Sequence, residues 1–213
     1  MDTEMTRSID NEEKRKKILE GSRALFFREG VSSLTMDQIA TRQGISKKTL
    51  YKFFSNKSHL VTEALEERLQ EVAALVDAIA RDTDRSFAQR LGDILGVVAR
   101  QFAQLGESLM KDMYYREPRL WERIDQFRRE HVFVVIAGLF EEGIREGYVR
   151  TDIETLLVPT LFVNAVSAVL TPAQMFALPL PPTVVFETFI RILLGGILTE
   201  DGRRRLFAGE GDT

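Results

Sequence analysis

TMDQIATRQGISKKTLYKFFSNK, residues 35–57, reads as two short helices joined by a glycine turn. Thr35-Met36-Asp37-Gln38 has the form of a capping box, with Gln38 three residues after the capping threonine, so a helix starts here. Ile39 and Ala40 supply its inward side. Gly44 permits a sharp turn. Ser46 is the natural cap of the next helix, over 47–54, whose Leu50 and Phe54 stand four residues apart on one face and point to a core. Upstream, the sequence predicts a helix over 11–29: Ile18, Ser22, Leu25 and Phe26 share a face, and Gly30 closes it. Three short helices with a glycine turn between the second and third make a helix-turn-helix.

The outer face of the third helix carries the chemistry. Lys47, Lys48 and Thr49 fill its first turn, where a helix in a major groove presents side chains to base edges. Ser46 opens that helix, and the free backbone N–H groups behind it favour phosphate. Tyr51 and Lys52 are placed to grip the flanking backbone, while Thr35 and Lys57 clamp the strand on either side. A lysine pair alone reads equally well as solvated surface, and an exposed tyrosine beside lysines also packs on neighbouring helices; the company of Thr49 and Lys52 favours DNA contact. Charge points the same way. Residues 14–57 carry 11 basic and 3 acidic side chains, a local balance of +8, whereas residues from 61 onward sum to −7. A basic head on an acidic body suits docking on a polyphosphate.

At residues 18–65 the chain resembles the N-terminal DNA-binding domain of TetR-family regulators, with ALFFREGVSSLTMDQIATRQGISKKTLYKFFSNKSHL at the centre of the likeness. The resemblance runs without a gap through Phe26, Gly30, Thr35, Ile39, Ala40, Gly44, Ile45, Ser46, Leu50, Tyr51, Phe54, Lys57 and Leu60. It implies an all-α chain: an N-terminal three-helix DNA-binding domain, 1–57, and a C-terminal helical ligand-binding and dimerisation domain, 58–213. It further implies a transcriptional regulator, usually a repressor, that binds a palindromic double-stranded operator as a homodimer and is released by a small molecule.

The rest of the chain agrees in pattern. Helical spacing is expected over 56–80, 84–105, 108–115 and 118–146; a helix capped by Asp152 runs to about 170, and a last one covers 183–199 after a Pro-rich loop, TPAQMFALPLPP. No alternating strand pattern appears. The 152–170 and 183–199 segments are apolar on more than one face, which calls for a second partner such as the same pair from another subunit. For a lipophilic effector the candidates are Phe102, Met110, Met113, Tyr114, Trp121 and Phe127, around the shortest helix, with Met175 and Phe176 in the Pro-rich loop. Asn164 and Tyr114 are the candidate polar contacts. Such bulky residues are equally at home in a plain core.

Other classes find little support. With no cysteine there is no thiol chemistry, and the only histidines, His59 and His131, have no partners at triad or metal-ligand spacing. No catalytic residue, metal ligand or cofactor is assigned. The N-terminus lacks the apolar core of a secretory signal and no apolar run reaches membrane-spanning length, so a cytoplasmic protein without a membrane partner is expected. The alternative function is an architectural or partner-recruiting DNA-binding factor without an effector.

Overall fold

In the computed structural model, residues 2–104, 106–154 and 157–207 are described, with side chains except at 2–9, 102 and 176. Twelve α-helices follow one another among them: α1 Asp2–Glu29, α2 Met36–Arg42, α3 Lys47–Phe53, α4 Lys57–Ala80, α5 Phe87–Gln104, α6 Glu107–Tyr115, α7 Pro118–Phe127, α8 Phe133–Arg145, α9 Leu157–Val169, α10 Pro172–Ala177, α11 Pro182–Ile197 and α12 Glu200–Phe207. A π-helical turn, Arg128–Val132, joins α7 to α8. The described residues contain no strand, only one antiparallel bridge between Val149 and Leu198.

The helices form two compact units. The first holds α1 to α3, α4 as far as Gln70, and α6 with the first turn of α7; the second holds the remainder of α4, α5 and everything from Glu122. In the first unit, Ile18, Leu19 and Phe26 of α1, Ile39 of α2, Leu50 of α3 and Leu60 of α4 are all fully or almost fully buried and make up its core. The second unit is built around α5, which packs against α8, α11 and α12. Its centre is aromatic: Phe87 lies 6.3 Å from Phe140 and is stacked at 5.8 Å on Tyr148, while Phe140 meets Phe162 of α9 edge-on at 6.2 Å. Gly143 makes this packing possible, since a Cβ there would stand 2.6 Å from the Phe87 ring.

Several sequence expectations need correction. Asp152 caps no helix: both its carboxylate oxygens accept from Arg150, at 2.9 and 2.6 Å, and α9 begins at Leu157. The Pro-rich segment is not all loop, because Thr171 caps a short helix, α10, with Pro172 in the first turn. The expected helix over 118–146 is interrupted by the π turn, which packs on α8 and α9. Around that turn Arg129 donates to Asp125 at 2.9 Å and to Asn164 of α9 at 3.4 Å, and His131 faces Asp77 of α4 at 3.2 Å. Burial pulls the Arg128 guanidinium down to about 10. The last predicted helix ends at Ile197 and is followed by α12, which lies so close to the chain end of α8 that a Cβ on Gly202 would meet the Tyr148 carbonyl oxygen at 2.3 Å.

One buried charge ties three of these helices together. Arg90 of α5, its side chain only 3% exposed, meets Glu142 of α8 at 2.5 Å and Glu146 at 3.9 Å, and donates to the Ala80 carbonyl at the end of α4 at 3.0 Å. The hydrogen bond from Arg90 holds the Glu142 carboxyl below its usual range. A carboxylate whose folded pKa is depressed stabilises the fold above its unfolded pKa, and that contribution is lost as pH falls through the folded value. Two outcomes are expected in urea unfolding. Stability declines on acidification through the carboxylate range, and Glu142→Leu removes about 3 kcal/mol at neutral pH by stranding the Arg90 charge, with a weaker dependence on acid than the parent.

Candidate nucleic-acid interface

The geometry of residues 35–54 follows from its caps. Thr35 is extended, its Oγ1 accepts the Gln38 N–H at 3.2 Å, and Gln38 Oε1 accepts the Thr35 N–H at 2.8 Å. After α2 the chain turns through Gly44 at φ +65°; the Gly44 N–H donates to Thr41 O and the Ile45 N–H to Ala40 O, so the last carbonyls of α2 are satisfied. Nothing lies within 4 Å of where a Gly44 Cβ would stand, so the backbone conformation and not crowding favours glycine here. Ser46 Oγ then accepts the Thr49 N–H at 3.0 Å and starts α3.

Helix α3 is held from one side only. Leu50 is its buried residue, and Phe54, at its C-cap, is also fully buried, with Arg15 over its ring at 5.7 Å and His59 edge-on at 5.8 Å. The remaining side chains face outward or lie half-buried. Lys47 reaches Asp37 of α2 at 2.8 Å, which raises its pKa, and stands 5.9 Å above the Tyr51 ring. Lys48 is exposed and makes no hydrogen bond or ion pair among the described residues. Thr49 Oγ1 is 2.8 Å from Ser46 Oγ; Tyr51 is 43% exposed; Lys52 donates to Asn11 of α1 at 2.7 Å. Lys57 is placed differently. Its Nζ donates to the carbonyls of Val31 and Leu34, at 3.2 and 3.1 Å, and so satisfies two acceptors of the loop that precedes α2.

That loop has a second anchor which the sequence does not reveal. Asp112 of α6 is buried, and its Oδ2 accepts the Ser32 N–H at 2.8 Å across 80 residues of chain. Gly30, at φ +80°, passes so close that a Cβ would stand 2.7 Å from the same oxygen. Nearer by, Gln43 at the end of α2 donates to the buried Ser22 hydroxyl of α1 at 2.8 Å. No local pattern announces Asp112, whereas Asp37 and Asn11, partners of Lys47 and Lys52, are polar neighbours visible in the chain but without a signal of whom they meet.

The effector candidates are distributed over both units. Met110, Met113, Tyr114 and Trp121 belong to the first, and Phe127, Asn164 and Met175 to the second. Met110, Met113 and Met175 are buried, Tyr114 is exposed and edge-on to Tyr115 at 4.5 Å, and Trp121 and Phe127 are half-buried, the latter stacked on His131 at 5.3 Å. Asn164 donates to Thr160 O at 2.8 Å and accepts from Arg129. The side chains of Phe102 and Phe176 lie outside the described residues. No group of three or more potential metal ligands occurs among the described residues.

Residues 18–64 match the pattern of bacterial regulatory proteins of the tetR family. Over 87% of its length the chain is 23% identical to an uncharacterised HTH-type transcriptional regulator of Bacillus subtilis, YvaF, and covers 96% of it. It is 27% identical to the HTH-type transcriptional repressor KstR2 of Mycobacterium tuberculosis, with 88% of this chain and 94% of that protein aligned. The structure of KstR2, a ketosteroid transcriptional regulator, superposes with a TM-score of 0.51 at 25% identity, covering 88% of this chain and 96% of that one. A TetR-family regulator from Agrobacterium tumefaciens, 20% identical, shares the fold at a TM-score of 0.64 over 89% of this chain and all of its own.

The carboxylate of Asp112 gives the interface a testable support. Asp112→Ala leaves the Ser32 N–H without its buried acceptor and is expected to destabilise the first unit by about 2 kcal/mol. Asp112→Asn keeps an acceptor oxygen and restores most of that stability. Urea unfolding, read together with amide exchange at Ser32, checks both.

Proposed function

We propose that the chain is a TetR-family transcriptional regulator, a homodimeric repressor whose α3 helices read a palindromic operator and whose body takes up a lipophilic effector. The observation that carries the DNA reading is the one-sided anchoring of α3. Leu50 and Phe54 fix it from within, while Lys47, Lys48, Thr49 and Tyr51 are left on or toward the outer face behind a capped N-terminus. Lys47 and Lys48 reach guanine acceptors or phosphate, Thr49 suits a thymine methyl, and Tyr51 and Lys52 hold the flanking strand. Thr35 and Ser46 act through helix starts aimed at phosphate. Lys57 contributes its positive charge at the base of the head and acts first on the loop carbonyls it binds.

Pairing of two chains is supported by apolar side chains left facing outward on the last long helices. Leu157 and Leu161 on α9 and Val184 and Ile192 on α11 are all exposed, Leu161 by 58% and Ile192 by 73%. Exposed apolar residues concentrated on two helices mark an interaction surface. A second copy of the same surface is the partner that a palindromic site requires. For the effector, the relative described as a ketosteroid regulator supports a lipophilic molecule. Its action is a shift of population toward conformers whose two reading heads no longer match the spacing of the half-sites.

Selection from random duplexes supplies the operator for a direct test. The variant Lys47→Ala/Lys48→Ala/Tyr51→Ala is expected to bind at least about 100-fold more weakly, each contact being worth about 1–3 kcal/mol; parent-like binding would refute the role of α3. Leu161→Asp with Ile192→Asp is expected to sediment as a monomer and to bind the palindrome weakly. Effector control is checked by thermal-shift screening of lipophilic ketones and acyl chains beside operator release. Tight DNA binding unaffected by every stabilising compound would favour an architectural factor instead.

A further inference from the structure

We propose that the N-terminal half of α1 is a second DNA-contacting element, in which Lys14 and Lys17 hold the phosphate backbone beside the groove that α3 enters; this rests on the reading of α3 as the recognition helix. The family pattern begins at residue 18, so both lysines lie outside it, although α1 itself runs unbroken from Asp2. Two contacts set this half of α1 next to the reading surface. Lys52 of α3 donates to Asn11 at 2.7 Å. A groove of about 390 Å³ is walled by Asp10, Glu13, Lys14, Lys17 and Ile18 on α1 and by Gln43 and Ile45, which bracket the Gly44 turn just before Ser46. The lysines therefore border the N-terminal end of α3, where the bases and phosphates of a bound site would lie.

The basic run Lys14-Arg15-Lys16-Lys17 divides by role. Arg15 is turned inward, paired with Glu63 and lying over the Phe54 ring. Lys14 and Lys17 are exposed and form no ion pair among the described residues. Asp10 and Glu13 share the groove, each four residues before one of these lysines, and reduce its net charge. The lysine stems are longer than those carboxylate side chains, so the ammonium groups reach farther toward a docked duplex. Contacts of this kind neutralise phosphate and carry no sequence information of their own. They add grip, while α3 chooses the site.

The test compares the parent with Lys14→Gln/Lys17→Gln on the selected duplex and on a scrambled one, across a range of salt. Lys111→Gln/Arg204→Gln removes the same charge elsewhere and serves as control. The expected result is a salt slope shallower by about 1 for each phosphate that a lysine no longer neutralises, an equal fractional weakening on both duplexes, unchanged thermal unfolding, and a control that behaves as the parent. An unchanged slope, a weakening confined to the selected duplex, or an equal effect in the control overturns the inference. If the parent holds no duplex at all, the reading of the chain as an operator-binding regulator falls, and this inference with it.

Discussion

The turn between α2 and α3 is held by cap and backbone hydrogen bonds, and the placing of the exposed face of α3 depends on it. Thr35 and Gln38 satisfy each other's backbone groups at the start of α2, the Gly44 turn satisfies the carbonyls at its end, and Ser46 starts α3 within two residues of that glycine. With both helices pinned at their ends, Leu50 and Phe54 need only fill one side of the core to set the direction of α3. The exposed lysines and tyrosine then inherit their positions from the caps, the turn and the buried side chains behind them. Preorganisation of this sort lowers the ordering cost of binding.

Around that turn the first unit sets two charges directly on backbone groups. Lys57 and Asp112 approach the loop before α2 from different elements, one donating hydrogen bonds to its carbonyls and the other accepting one from its amide. The second unit does likewise with Arg90, which serves two carboxylates and a helix-end carbonyl at once. In both cases an ionised group replaces backbone partners that neither helix nor sheet supplies. Such groups would be costly if left unpaired in the interior.

What the sequence made legible was local. The capping box, the Ser46 cap and the glycines at Gly30 and Gly44 depend on residues within a few positions, and both glycines adopt positive φ. Segment 171–182 was misread although it holds a local signal, because Thr171-Pro172 is a helix start that the later prolines obscured. Asp152 failed as a cap because Arg150, two residues away, competes for its carboxylate. The π turn and Asp112 were not readable at all: one packs against α9, far along the chain, and the other hydrogen-bonds to a distant stretch of chain. At the interface the residue types were plain from the sequence, but their engagements, Lys47 with Asp37, Lys52 with Asn11 and Lys57 with carbonyls, arise only when separate elements meet.

In the proposed role, the brevity of α3 limits how much text it can read. Seven residues at about 1.5 Å of rise span roughly 10 Å, which is the length of about three base pairs at roughly 3.4 Å each. Even two such helices would match by chance at about one position in four thousand, against the million or more competing sites a genome offers. For the proposed dimer, discrimination would then come from the distance between half-sites and from how readily the intervening duplex takes the required shape. A dimer with so short a reader would identify its address by spacing and flexibility as much as by spelling.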